Sequence, residues 1–321
     1  MLQQTQVSKV EAYFSHFLGR FPDVHHLAKA PLESVLKVWE GMGYYSRARH
    51  LQQTAQILVS RFNGEIPADF EKLLSLPGIG RSTAGAILSL AFGQAYPVLD
   101  GNIRRVLIRF FSFELDSGKG EGLRQLWNTA SEILPAKDPG RFNEALMELG
   151  AMICSPKNPK CRCCPLQRDC QAFRSGRTND LPVKGARKEV PHFEVTAAVI
   201  QKGKKILITQ RPPKGLLGGL WEFPGGKKES NESLEDCLKR EIREELNIEI
   251  KVGKRFIQVP HAYSHFRITL HCFFCRQVKG SIVPLGVQDY RWVFPEELDR
   301  FPFPRADQKV IEFLKEQPWK K

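Results

Sequence analysis

No apolar run in this chain approaches the ~20 residues that a membrane-spanning helix needs, and its first residues carry no basic-then-apolar secretory pattern. Both absences point to a cytoplasmic protein. Acidic residues are the minority charge, 35 Asp and Glu against 48 Lys and Arg, a formal net charge of +13. A basic surplus of that size fits a polyanionic partner, nucleic acid first. The paired CxxC…CxxC pattern of zinc modules is missing as well, although the chain has eight cysteines. In a cytoplasmic chain those argue for metal binding over disulfides. The length of 321 residues allows one or two domains, and 42% hydrophobic residues suffice for real cores.

The stretch Leu76-Pro-Gly-Ile-Gly-Arg-Ser-Thr-Ala-Gly-Ala86 lies between two apolar helical runs, Phe70–Leu76 and Arg81–Phe92. Pro77, Gly78 and Gly80 read as a tight turn, because glycine lacks a Cβ and tolerates positive φ. The free N–H groups of the second helix then point out of the turn and make an anion site suited to a DNA phosphate. An ordinary helix–turn–helix packing corner is the alternative. Further on, Pro97 and the turn Asp100-Gly-Asn102 precede a helix over Ile103–Phe111. Asp100 at its mouth is either a catalytic carboxylate or an N-cap.

The opening Met1-Leu-Gln-Gln-Thr-Gln-Val7 runs without a cap into an amphipathic helix carrying Val10, Tyr13, Phe14 and Phe17. Gly41-Met-Gly-Tyr-Tyr-Ser-Arg-Ala-Arg49 suits a DNA-facing entry, where an aromatic wedges into a stack and arginines hold phosphate. In the other reading both tyrosines are core and the arginines a solvated face. Residues 120–151 hold two more helices, including Glu144. Cys154-x6-Cys161-x2-Cys164-x5-Cys170 supplies four thiolates for zinc or an iron–sulfur cluster. Cys163 is extra and is read as a non-ligand. Lys157, Lys160, Arg162 and Arg168 make that loop basic. Residues 174–192 are polar, basic and poor in periodicity, a linker.

Beyond the linker the pattern turns strand-like. His192–Ile200 and Lys205–Gln210 read as strands, followed by a helix over Leu234–Leu246. Gly226-x5-Glu232-x7-Arg240-Glu241-Ile-x-Glu244-Glu245-x-Asn247-Ile248 has the spacing of a Nudix box, with Asn247 in place of the second glycine. Glu241 and Glu245 share one helix face and Glu244 lies beside them. Clustered carboxylates favour a divalent cation, and Mg²⁺ there would polarise a pyrophosphate. A solvated helix with Arg240 and Arg243 as partners is the alternative. Only Asp289 stands near the place of a further catalytic carboxylate.

The Gly/Pro…Asp stretch resembles the helix-hairpin-helix DNA glycosylase superfamily, and more narrowly its A/G-specific adenine glycosylase branch, the MutY family. The resemblance covers nearly all the chain. It implies an all-helical glycosylase domain with an iron–sulfur loop over residues 1–173, the linker 174–192, and a Nudix α/β/α sandwich resembling MutT over 193–319. It implies removal of adenine mispaired with 8-oxoguanine or guanine in duplex DNA, by a monomer associated with the nucleoid. Asp100 would stabilise an oxocarbenium ion, and Cys154, Cys161, Cys164 and Cys170 would hold a 4Fe–4S cluster. Gln4, Tyr44, Gly78, Gly80, Arg81 and Asn102 would contact DNA. Glu144 would read adenine, while Tyr263, Ser264 and His265 would contact 8-oxoguanine. Asp307 falls where Nudix sanitising enzymes place a base-reading side chain. The family's general-acid Glu would stand two residues upstream of Met1, so this chain is expected to have little glycosylase activity, and an earlier start would restore it. The intact box makes an Mg²⁺-dependent hydrolase of 8-oxo-dGTP, through Gly226, Glu241, Glu244 and Glu245, the second reading. A non-catalytic lesion binder is the third.

Overall fold

Side-chain caps and left-handed residues set several helix boundaries in this chain. The computed structural model describes residues 1, 2, 5, 7–114, 120–183 and 189–316. They group into two units, Met1–Ser60 with Glu189–Lys321, and Arg61–Lys188.

The first unit opens with helices α1 (Val7–Arg20), α2 (Val24–Lys29), α3 (Leu32–Val38) and α4 (Tyr45–Arg61). Asp23 caps α2 by accepting the His26 N–H. Phe17, Phe21, Val35, Leu36, Trp39, Met42 and Ala48 form one buried cluster, which Leu220 from the distant Nudix-like part joins. This burial of apolar surface is the main force holding the two stretches in one unit.

The second unit contains α5 (Phe70–Leu74), α6 (Arg81–Phe92), α7 (Gly101–Phe111), α8 (Gly120–Glu132), α9 (Pro139–Glu148) and α10 (Gln171–Arg174). Asp69 caps α5, and Gly93 ends α6 at φ 63°. α5 ends two residues before its apolar pattern does, where Leu76 donates to the Leu73 carbonyl in a tighter turn, and Ile79 then donates to the Leu76 carbonyl. α9 continues into a π-helical turn, Leu149–Ile153. Val98, Ile103, Leu107, Ile108, Leu126, Ala130 and Leu181 make the core.

The rest of the first unit is a mixed sheet flanked by two helices. Its elements are β1 (His192–Lys202), β2 (Lys205–Gln210), β3 (Trp221–Glu222), α11 (Leu234–Leu246), β4 (Glu249–Ala262), β5 (Arg267–Lys279), β6 (Asp289–Val293) and α12 (Arg305–Glu316). Strand order is β3-β2-β1-β5-β4, with β6 on β2. β1 and β5 are parallel, and the other pairs are antiparallel. Ala198 and Ile200 of β1 pack toward Leu238, Ile242 and Leu246 of α11. Ala197 and Val199 pack toward Val310, Ile311 and Leu314 of α12. A strand covered on both faces reads as a continuous apolar run, as β1 does. Ser233 caps α11 and Asn247 ends it at φ 56°, the left-handed role expected of that asparagine. Among the described residues no helix is long and apolar enough to cross a membrane.

Candidate functional site

The glycine corner is built as its sequence requires. Gly78 has φ 77°, and Gly80 is the N-cap of α6 with no side-chain hydrogen bond. Both glycines are exposed, and no atom lies within 4 Å of where a Cβ on Gly80 would sit. The first amides of α6 therefore open to solvent, as an anion site needs. The Arg81 guanidinium stands over the Trp127 ring, 3.9 Å from its centroid. One turn further along α6, a Cβ on Gly85 would meet the Pro97 carbonyl oxygen at 2.3 Å. That close approach lays residues 97–99 against α6 and brings Asp100 to the mouth of α7.

Asp100 is half-buried and is an N-cap: its Oδ1 accepts the N–H groups of Asn102 (2.9 Å) and Ile103 (2.8 Å). Its Oδ2 accepts from the Asn102 amide at 3.1 Å. The capping and catalytic readings are compatible, since three donors orient the carboxylate at the positive end of a helix. Asn102 Oδ1 in turn accepts from Arg105 Nη2 (3.0 Å), and Arg105 Nε donates to the Cys154 carbonyl (2.6 Å). Arg109, one turn on, is 2% exposed and donates to the carbonyls of Leu181, Ser155 and Pro156 and to the Cys154 sulfur at 3.3 Å. A hydrogen-bonded chain thus runs from Asp100 to the cysteine loop. Arg105 and Arg109 had no role in the sequence reading. Their signal was a pair of cations four residues apart on α7.

Cys154, Cys161, Cys164 and Cys170 line one pocket with Arg109, Ile153, Pro159 and Phe173. Its cavity volume is about 30 Å³. None of these cysteines is in a disulfide, and Cys163 is exposed and not on the wall. Burial, then the neighbouring thiols, raise the Cys161 and Cys164 pKa. Among the described residues no three His, Cys, Asp or Glu side chains converge closely enough for a single metal ion. Four unpaired thiols around a common void fit a cluster bridged by several atoms. Lys157, Lys160, Arg162 and Arg168 are all exposed around it. Glu144 is exposed on α9, next to the buried Asn143 that holds Ser89 and the Tyr96 carbonyl.

In the first unit the two adjacent tyrosines separate. Tyr45 is 7% exposed, and its hydroxyl accepts from the Gly41 N–H; burial pushes its phenol up to about 12. Tyr44, at φ 48°, is 41% exposed, and its hydroxyl lies 2.9 Å from Ser264 Oγ. Neither arginine is a free phosphate ligand. Arg47 stands over the rings of Trp39 and Tyr44 and donates to the Met1 carbonyl and Thr5. Arg49 donates to the Gly218 carbonyl at 2.8 Å. Ser264 and His265 are exposed, whereas Tyr263 turns inward, stacked on Phe266 against the core. Gln4 lies outside the described residues.

The Nudix-box carboxylates meet a cation from their own helix. Arg240 binds Glu232 through two nitrogens (3.1 and 2.8 Å), and its Nη1 binds Glu241 (3.0 Å) and Glu244 (3.1 Å). Arg240 holds the Glu232 carboxyl down to about 2. A Cβ on Gly226 would meet the Glu241 carboxyl, so that oxygen pair is pressed against the backbone. Glu245 turns into the protein. Its Oε2 is buried without a partner, and burial, then Glu222 and Glu241, push its pKa up to about 8. Arg240 engages one oxygen each of Glu241 and Glu244 and leaves their second oxygens unbonded, and with the unpartnered Glu245 Oε2 these are the oxygens that would hold a divalent cation. Arg243 lies 3.9 Å from Glu249. Asp289 pairs with Arg291. Asp307 is buried, accepts the Phe223 N–H at 3.4 Å, and is pushed up to about 7 by burial and then by Glu222.

Residues 1–132 match the model of the HhH-GPD superfamily of base excision DNA repair proteins, and residues 195–313 match the NUDIX domain. The chain is similar to the adenine DNA glycosylase of Buchnera aphidicola subsp. Baizongia pistaciae, 41% identical over 225 residues, covering 70% of this chain and 64% of that one. It is similar to the human adenine DNA glycosylase, 34% identical, with 97% of this chain and 66% of that one covered. A third relative, the adenine DNA glycosylase of Buchnera aphidicola subsp. Acyrthosiphon pisum, is 33% identical, with 98% and 88% covered. The chain thus spans just under two thirds of the first two relatives and most of the third.

Proposed function

The chain belongs to the adenine DNA glycosylase family, and from that premise we propose that it engages duplex DNA in which adenine stands opposite 8-oxoguanine or guanine. We assign residues 1–173 to the glycosylase domain, 174–192 to the linker and 193–319 to the Nudix-like domain, acting as a monomer. The observation that carries the reading is the Asp100 carboxylate, held by three N–H donors beside a corner whose helix amides face solvent. The α6 amides and Arg81 hold a backbone phosphate without regard to sequence. The target adenine leaves the stack, and Asp100 stands against the positive charge that grows on its sugar as the glycosidic bond stretches. Asn102 and Arg105 keep that carboxylate aimed. Cys154, Cys161, Cys164 and Cys170 hold a 4Fe–4S cluster, which when bound staples the basic loop into a phosphate-binding shape. Tyr44 wedges beside the mispair, and Ser264 with His265 faces the base opposite adenine. The Nudix-like domain reads that base.

The test uses duplexes with a sugar mimic opposite 8-oxoguanine, one a cationic pyrrolidine and one a neutral tetrahydrofuran. The chain should prefer the cationic mimic, and Asp100→Asn should remove the preference by roughly 10- to 100-fold, as expected for a charge-assisted contact. Equal affinity for both mimics in the unsubstituted chain overturns the assignment of Asp100. Equal affinity for 8-oxoguanine and unmodified duplexes overturns the assignment of the substrate.

A further inference from the structure

Tyr44 and Ser264 are 220 residues apart, yet their hydroxyls meet at 2.9 Å on an exposed surface. Exposed hydroxyl pairs normally trade each other for water, so the contact persists only where both backbones are already fixed. Both are. Gly41 (φ 85°), Gly43 (φ 75°) and Tyr44 (φ 48°) form a left-handed turn ahead of α4. The Arg47 guanidinium sits 5.1 Å from the Tyr44 ring centroid, closing the space behind it. On the other side, Tyr263 donates its N–H to the Phe266 carbonyl and stacks on the Phe266 ring, so the turn carrying Ser264 is anchored in the core.

The surrounding contacts hold the same two stretches together. Glu40 accepts the Phe303 N–H at 2.8 Å, and Lys37 donates to the Phe301 carbonyl at 3.0 Å. Leu220 is fully buried among Val35, Leu36 and Trp39. The two loops are thus mounted on a common packed body.

We propose that the 41–47 turn and the 262–266 turn form one preassembled reading head, latched by the Tyr44–Ser264 hydroxyl pair, so that seating the Tyr44 ring and presenting Ser264 to the opposite base are one event. Tyr44 is a positioning residue for Ser264 in addition to any wedge role. This rests on the lesion-reading role proposed above for what the head does, but the latch is a property of the free protein. It places the ordering cost of the 262–266 turn in folding, so that binding does not bear it.

Amide hydrogen exchange on the full chain without DNA tests the latch. Tyr44→Phe keeps the ring and removes only the hydroxyl. The Tyr263–Phe266 amides should exchange roughly two- to tenfold faster in Tyr44→Phe, equally so in Ser264→Ala, and no faster in the double variant. Unchanged exchange in Tyr44→Phe, or additive effects in the double variant, overturns the latch. A parallel competition between 8-oxoguanine:A and G:A duplexes separates the two ideas. If exchange responds as expected, discrimination should fall by a similar factor in Tyr44→Phe. Intact coupling in a protein with no preference for 8-oxoguanine leaves the latch standing and removes the lesion-reading role.

Discussion

Asp100 and the Nudix-box glutamates are both carboxylates at motif spacing, yet they stand in opposite states. Asp100 receives only N–H donors of its own turn, which orient it and leave its outer edge available. Glu232, Glu241 and Glu244 are bound by one guanidinium, and Glu245 is folded inward. Spacing along a helix brings acids together in both places. What lies within hydrogen-bond reach decides whether they face a ligand or their own chain. A carboxylate oriented by amides is ready for a developing cation. One that gives a single oxygen to Arg240 shares its charge with that guanidinium and has one oxygen left for a ligand.

The largest effect should come from removing charge without removing the cap. Asparagine caps as well as aspartate, so Asp100→Asn keeps the two backbone N–H bonds and loses only that from the Asn102 side chain; it should lower the unfolding midpoint by no more than about 4–8 °C and still lose the cationic-sugar preference described above. Glu244→Gln in the same assay should change nothing; an equal loss would erase the contrast between the two carboxylate sites. Next is the support beneath Asp100. Gly85→Ala should destabilise the chain by about 1–3 kcal/mol, because its Cβ has the Pro97 carbonyl in its way. A neutral outcome in chemical denaturation would mean that residues 97–99 do not depend on that approach.

Stability against pH probes the buried acids of the Nudix-like part. Asp307 is raised from 3.8 to about 7, so its contribution is complete below the unfolded value and is lost as pH climbs through 7. Glu245, raised to about 8, acts in the same direction. The chain should therefore unfold a few degrees lower at pH 8 than at pH 6, and Asp307→Asn, which can still accept from Phe223, should flatten that slope. A slope unchanged by the substitution would assign the pH dependence to other groups. The smallest expected effect is that of magnesium. A cation at a hundred times its dissociation constant would add about 2.7 kcal/mol. While Arg240 stays on Glu241 and Glu244, millimolar Mg²⁺ is expected to move the midpoint by less than about 1 °C, and a clear rise would show a cation seated beside that guanidinium.

Local signals were legible wherever a short stretch carries its own geometry. The glycine turn, the capped aspartate, the cysteine spacing and the Nudix helix each depend on neighbours within about one or two dozen residues. Tyr44 and Tyr45 were not separable that way, because one residue's difference in direction depends on the positive φ at 44 and the pocket waiting for 45. Arg47 and Arg49 read equally as phosphate ligands or as a solvated face, and the structure sets Arg47 over Trp39 and Arg49 on the Gly218 carbonyl. Tyr263 looked outward with its neighbours in the chain, but stacking on Phe266 draws it in.

Composition and spacing alone determined that this chain has a basic surface, a backbone-amide corner, a four-thiol loop and a helix crowded with acids, since each follows from residue type and period. Only the folded chain decided which acid remains free, which tyrosine meets Ser264, and that residues 1–60 share a body with 189–321. Those outcomes depend on side chains far apart in sequence competing for the same few ångströms, a competition no local pattern records.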